Sequence, residues 1–304
     1  MTDPLGAPPQ PAPAASMLRG SMALPIAAGV LGAACFIGMD SVIKLMAPRY
    51  GALQLAFFRF AAGSVFAVLL WAWQRSPLPG RRAWRVHGLR TIFLVISLVC
   101  FIHALRLLPL AQAVAISYAS PVLVALLAIP LLRERPPPVL WAALALAGCG
   151  VCVALGPELL AASAPGSGTA LEGMLSAALA ALAFAFVLLL ARHQAQREPL
   201  WTILLVQNLL PLLVLAIPAA WTWNAVTPTD LPLIALAGAL GTAGLLSISF
   251  AFTHLPASRV APLEYTGLVW AAGLGYFLFG EVPTLRTAAS AALIVGGCLL
   301  LLRR

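Results

Sequence analysis

The sequence predicts an all-α integral membrane protein: ten transmembrane helices, arranged as two inverted five-helix repeats around a central cavity. Three observations lead there. The 304 residues are 62% hydrophobic and only 9% charged, against about 25% charged in a soluble domain, so the chain lacks the polar surface that water requires. Its apolar runs reach the roughly 20 residues that a helix needs to cross a bilayer, with room for about ten such runs on short connections. Finally, the stretch 104–150 is written again, without a gap, at 251–297: Pro109 matches Pro256, Tyr118 matches Tyr265, Glu134 matches Glu281 and Pro136 matches Pro283, always 147 residues apart. A shared register of such residues in so apolar a chain marks an internal duplication.

Residues 1–21 are rich in Pro and Ala and lack the charged start and cleavage pattern of a signal peptide, so they are expected to form a disordered cytoplasmic tail. The first repeat then spans 22–156. Helix 1 covers 22–45, and Pro48, Arg49 and Tyr50 turn the chain into helix 2 at 52–73. Arg75, Arg81, Arg82, Arg85 and Arg90 crowd the next connection, and helix 3 runs on to Arg106. Pro109 breaks the chain before helix 4, which covers 110–132 and stops at the run Arg133 to Pro138, and helix 5 covers 139–155. The Gly, Pro, Ser and Ala mixture of 157–169 connects the halves. The second repeat, 170–304, holds helix 6 at 170–191, helix 7 at 200–221, helix 8 at 231–253, helix 9 at 258–279 and helix 10 at 284–302.

A formal charge of +9 would point to nucleic acid in a soluble domain; here its distribution reads as topology, and no nucleic-acid partner is expected. With the N-terminus inside, thirteen of the 18 Lys and Arg residues collect on the inner side and five, Lys44, Arg49, Arg59, Arg106 and Arg286, on the outer side or outer helix ends. That bias places both termini in the cytoplasm of a bacterial-type inner membrane. An odd number of spans per repeat makes the second copy enter the bilayer upside down. Proteins built so bind small molecules near the midplane and expose the site to alternate sides. The five cysteines lie in apolar runs without a CxxC pair and read as packing residues, and the four histidines lack metal-ligand spacing. Neither a cofactor nor an intramembrane enzyme is expected.

The ten-helix pattern, the segments GMDSVIKLMAPRY and QLAFFRF in helices 1 and 2, and the paired LP…E-x-P repeats together resemble the drug/metabolite transporter superfamily, in its EamA-type branch. The resemblance covers about residues 22–302. It implies that helices 1, 3, 4, 6, 8 and 9 line a central cavity, with helices 5 and 10 packed at one edge. It also implies transport of small organic metabolites by alternating access, with export of amino acids, aromatic ones among them, as the leading expectation. Import of a nutrient such as a nucleoside derivative or vitamin, and broad drug efflux, are the alternatives. The partners expected are a small-molecule substrate, the lipid bilayer and a coupling proton.

Ionisable groups inside a span are costly and face a cavity or one another. Asp40 and Lys44, four apart on helix 1, share a face and are close enough to pair; Lys44 also lies near enough to the outer end to snorkel. Arg59 on helix 2 is an alternative partner for Asp40, in a salt bridge between helices 1 and 2. Tyr118 and Tyr265 are symmetry mates that offer a ring face and a hydroxyl at equivalent depths, or else pack helices. Beside them the copies disagree, Ser117 standing against Glu264. Glu264 is the candidate for a cationic group or a coupling proton, or for an ion pair with Arg259 or His254. His103, a turn before Arg106, titrates near neutral pH or simply bonds a neighbouring helix. Trp270 lies mid-membrane and is read as cavity lining, whereas Trp71, Trp73, Trp201, Trp221 and Trp223 at helix ends read as interfacial anchors. An offset of 148 aligns Gln207 and Asn208 with Arg59 and Phe60, and the two amides read as glue between helices. The glycines at 238, 241 and 244 fit either helix bending or close packing, as do Pro121 and Pro262 within spans. The pairs Ala143/Ala147 and Ala292/Gly296 predict tight packing of helices 5 and 10.

Overall fold

The computed structural model describes residues 23–120, 122–124, 126–127, 138–160, 167–195, 197–255 and 263–302. The expected N-terminal tail lies outside them, as do Pro121, Glu134, Pro136, Pro256, Arg259 and Pro262. Regular structure among the described residues is helical: α1 (Ala23–Met46), α2 (Ala52–Gln74), α3 (Arg81–Leu107), α4 (Leu110–Ser117), α5 (Pro138–Leu160), α6 (Ser167–Ala195), α7 (Leu200–Trp221), a short 3₁₀ turn (Pro228–Asp230), α8 (Leu231–His254), α9 (Gly267–Phe279) and α10 (Leu285–Leu302). Six of these, α1, α2, α3, α6, α7 and α8, are long and apolar enough to cross a membrane, and the other four contain shorter apolar stretches.

The boundaries follow local chemistry. Gly51 and Gly80 sit in extended conformation ahead of α2 and α3, and Pro199 does so ahead of α7. Proline fits a helix start because the first turn leaves its N–H groups unpaired anyway. Gly280, with φ +67°, closes α9 in the left-handed region that favours glycine. Several boundaries differ from expectation, among them the interruptions of α4 after Ser117 and of α9 before Gly267. The arginines at 81, 82, 85 and 90 belong to α3 rather than to a connection; arginine is a good helix former, and Arg81 and Arg85 stay exposed while Arg90 is buried. Helix also enters the expected link between the halves from both sides, as α5 runs to Leu160 and α6 starts at Ser167.

The principal partner of every helix lies in the other half. α1 packs on α8, α3 on α6, α2 on α7 and α5 on α10, while α4 packs equally on α9 and α6, and α9 packs most on α1 and next on α4. Exchanging the halves leaves that pairing unchanged, as two equivalent units related by a twofold axis require. Small residues set the approach. On α8, a β-carbon added to Gly238 would fall against Ala62 Cβ and 2.8 Å from the Ala62 carbonyl carbon, and one on Gly244 would meet the Phe36 ring at 3.2 Å. Between α5 and α10, a β-carbon on Gly150 would lie 2.8 Å from Ile294 Cγ1 and 2.9 Å from the Ser290 carbonyl oxygen. Close packing is thus the use the structure makes of these glycines. Without a hydrophobic driving force between helices in lipid, such van der Waals fit carries much of the association.

Gly238→Ala is expected to destabilise the protein by about 1–3 kcal/mol through overpacking. Gly273→Ala, on α9 with nothing within 4 Å of the added carbon, should instead be neutral or stabilising by up to about 1 kcal/mol, since alanine is the better helix former. Thermal melts of the purified protein in detergent distinguish the two; equal effects would contradict the packing described.

Candidate functional site

Helix α4 stops at Ser117. The backbone turns through Tyr118 and Ala119, and helical structure resumes at Ser120. Its repeat mate does the same, with turn residues Tyr265 and Thr266 ahead of Gly267, the start of α9. Corresponding hydrogen bonds hold the two turns. Ala119 N donates to Ile116 O as Thr266 N donates to Leu263 O, and Val122 N donates to Ala119 O as Val269 N donates to Thr266 O, each at 3.0–3.1 Å. The breaks touch. The Tyr118 hydroxyl donates to the Glu264 backbone carbonyl at 2.8 Å, and the Tyr118 and Tyr265 rings meet edge to face at 5.4 Å. Gly267 leaves room for this, because a β-carbon there would collide with the Tyr118 hydroxyl.

Ionisable residues gather around this junction. The Tyr118 hydroxyl stands in the field of the Glu264 and Asp40 carboxylates, and Asp40 in that of the Arg59 guanidinium. Asp40 is buried, at 8% exposure, whereas Glu264 is exposed. A cavity of ≈ 70 Å³ opens beside Arg59, between α1, α2, α3, α7 and α8, with Gln207, Asn208 and Thr242 as its other polar side chains. Arg59 and its mate Gln207 face the same space. Tyr118 and Tyr265 are likewise mates in contact, so the cavity and the breaks both lie where equivalent positions of the two halves meet.

Of the residues singled out from sequence, Tyr118, Glu264 and Tyr265 meet at the junction; Asp40 acts on Tyr118, and Arg59 on Asp40, through their fields alone, and Arg59 lines the separate cavity. The expected Asp40–Lys44 pair is not formed. Lys44 Nζ instead lies 2.6 Å from Glu281 Oε1 and also donates to the Leu108 carbonyl, because Glu281, just past the turn at Gly280, reaches back toward α1 with a carboxylate that outcompetes one a turn away. Asp40 and Arg59 sense each other without an ion pair within 4 Å among the described residues. Ser117 bonds back to Val114 O at 2.8 Å. His103 pairs with Glu172 of α6 at 2.9 Å, at the edge where α3 and α6 pack. Trp270 is 42% exposed and does not line the cavity.

Two polar clusters close the ends of the helix assembly. At the Lys44 end, Glu281 Oε2 also accepts the Leu110 N–H at 2.7 Å, so the glutamate of the second repeat caps the helix that follows Leu108 and Pro109 in the first. Nearby Asp230, 1% exposed, takes Arg49 at 2.9 Å and the Tyr50 hydroxyl at 2.7 Å, while Gln54 exchanges two bonds with the backbone of Asn224. At the opposite end, Thr202 donates to the Pro77 carbonyl at 2.7 Å. Gln54 and Thr202 are mates at the offset of 148, so the two ends carry related fastenings. A buried chain also runs inward from that second end. Glu198 meets His87 at 2.9 Å, Gln194 Nε2 donates to His87 Nδ1 at 2.8 Å, and Arg90 donates to Gln194 Oε1 at 2.9 Å and to Gln207 Oε1 at 2.7 Å. Sequence reasoning missed these roles. The repeated LP…E-x-P pattern was the one available signal, since it pairs a helix start in one copy with a carboxylate in the other.

A family model described as the EamA-like transporter family matches the chain twice, over residues 23–156 and 171–303. The chain is 31% identical over 277 residues to a pseudopaline exporter of Pseudomonas aeruginosa, covering 90% of this chain and 94% of that protein. It is 25% identical over 264 residues to an S-adenosylmethionine uptake transporter of Rickettsia bellii, covering 86% and 88%. A crystal structure at 22% identity shares the fold, with a TM-score of 0.56 over 91% of this chain and 99% of the other.

The Lys44–Glu281 contact is mostly buried, with side-chain exposures of 11% and 20%, so removing one partner strands a charge. Lys44→Ala and Glu281→Ala should each lower the melting temperature, and the double variant should lose less than their sum, with a coupling of about 0.5–3 kcal/mol. Strict additivity would show that the contact carries no energy.

Proposed function

The chain belongs to the EamA-like transporter family, and on that premise we propose that it exports amino-acid-type metabolites across the cytoplasmic membrane by alternating access. It is a multi-pass membrane transporter; its family and relatives are transporters, not enzymes. The proposal gives it ten spans, five in each of the halves 22–156 and 170–304, with α4 and α9 each continuing through its break to complete a crossing. Both termini are then cytoplasmic, the Lys44 and Asp230 fastenings lie at the outer face, and the His87 and Thr202 fastenings lie at the inner face.

The meeting of two helix breaks at Tyr118 and Tyr265 supports this reading most directly. Irregular backbone at membrane depth is tolerated only where protein buries it or it lines a cavity, and transporters with inverted halves bind substrate at such interruptions. The chemistry beside the breaks suits a zwitterion. Asp40 and Glu264 offer acidic partners for an ammonium group, Arg59 offers a cation for a carboxylate, and the tyrosine rings offer apolar faces. One relative is named for export, and the other carries a methionine derivative. The uptake relative also supports a second reading, import of a nucleoside-containing nutrient.

Flux of labelled amino acids and of S-adenosylmethionine in proteoliposomes of fixed orientation separates the two. Saturable outward movement of at least one amino acid is expected, and absence of flux for every amino acid would remove the export reading. Glu264 is assigned the coupling proton. Glu264→Gln is therefore expected to abolish flux driven by a pH gradient while substrate exchange continues, and an unchanged dependence on the gradient would sink that role.

A further inference from the structure

We infer that Arg59, with the Gln207 amide, forms an anion subsite that anchors the carboxylate of the transported molecule. This rests on the reading above that the chain carries small metabolites, and it narrows the substrate to those bearing a carboxylate. Arginine has five N–H donors in a planar fork and cannot shed its proton in a protein. Among the described residues none of those donors meets an acceptor; the Phe60 ring lies 5.8 Å from the guanidinium carbon, and the Asp40 carboxylate lowers the cost of the charge through its field without an ion pair. A cation with unmet donors at this depth is expensive, so the cavity beside it is built for an acceptor that arrives from outside the protein.

The neighbours point the same way. Gln207 spends its oxygen on Arg90 at 2.7 Å, which fixes the amide and leaves Nε2, a donor, as the end without a partner among the described residues. Asn208 ties its own Nδ2 to Leu204 O at 2.8 Å, and Thr242 donates to Gly238 O at 2.9 Å. The donors left for an occupant are thus the guanidinium and one amide, a match for the two oxygens of a carboxylate. The cavity, at ≈ 70 Å³, is far below the roughly 300–1,000 Å³ that holds a whole small molecule, so it takes one functional group. Phe36, Met39 and Phe60 are among its apolar lining.

The position within the duplication adds an independent argument. Arg59 and Gln207 are repeat mates that face one another, so a symmetric ancestor would have had two like side chains here. Two arginines would repel, and two glutamines would bind a carboxylate without charge. One of each gives a single cationic anchor reached from both halves. Arg90 then acts as a positioning residue: its bond to Gln207 sets which end of the amide faces the cavity.

Two experiments test this. In the first, purified protein in detergent is melted with propionate and, separately, with the neutral propionamide. Wild type should gain about 2 °C or more with propionate and nothing with propionamide; Arg59→Gln should lose the gain and Arg59→Lys keep part of it. Because Arg59→Gln strands Asp40, the Asp40→Asn/Arg59→Gln double variant serves as the folded control, with the same loss expected. No propionate-specific gain in wild type, or a gain that survives in both glutamine variants, would overturn the inference. The second measures flux of amino acids against their methyl esters in proteoliposomes. Acid over ester by at least tenfold, about 1.4 kcal/mol, is expected in wild type, with Arg59→Gln erasing the preference. Equal transport of acid and ester by wild type, or parallel loss of both in Arg59→Gln, would overturn it. Failure of all amino-acid flux alongside an intact propionate effect would reject the amino-acid reading while leaving the carboxylate anchor standing.

Discussion

The hydrogen bond from the Tyr118 hydroxyl to the Glu264 carbonyl joins two pieces of backbone that could not exist apart inside a bilayer. Hydrocarbon offers no partner to a freed N–H or C=O, so each interrupted helix must have its loose groups met by protein or by a cavity. Here each break is supported by the other. The local bonds across Ala119 and Thr266 tighten the turns, and the tyrosine crosses from one turn to the other, worth about 1 kcal/mol net by itself. Gly267 is the residue that admits it. At this junction the fields of Glu264 and Asp40 both reach the Tyr118 hydroxyl.

The pairing of helices across the halves turns that junction into a mechanism. Because α1 lies on α8 and α3 on α6, the two halves are interlocked rather than stacked as separate blocks, and the proposed alternating access would have to move them together. Fastenings of similar design sit at both ends, a side chain of α2 or α7 bonded to the backbone of a loop from the opposite half. At the Lys44 end they are reinforced by two ion pairs. At the His87 end, the chain through Gln194 and Arg90 reaches Gln207 at the cavity wall.

Much of the fold was legible in the sequence because bilayer physics leaves few choices: apolar runs of spanning length, proline and glycine at their ends, and a repeated register. The expected starts and ends of helices 2, 7, 8 and 10 fall within a residue or two of those observed. The start of α3 was not legible, since clustered arginines look like a loop, although arginine is a good helix former. The interruptions of α4 and α9 were hidden too, because Tyr and Thr carry no break signal; only Pro121, Pro262 and the pairing of Tyr118 with Tyr265 hinted at them. Within the site, the cost of burying charge drew attention to Asp40, Arg59 and Glu264 one by one. Partner choice was not legible. Lys44 goes to Glu281 rather than to Asp40, which is nearer in sequence, because tertiary structure brings a carboxylate from the other repeat, and helical spacing carries no information about that. The amide orientation of Gln207 is set by Arg90, a residue that its sequence context files with the surface charges.

Pulsed electron–electron distance measurements across both ends test the central claim, that one site between interlocked halves is exposed alternately. Spin labels would replace Pro48 and Trp223 at one end and Leu78 and Leu200 at the other, all at exposed positions. On adding a transported amino acid or reversing its gradient, one pair should lengthen as the other shortens, with the ends never open together. Two distances that stay fixed, or that lengthen in concert, while flux continues would contradict the account.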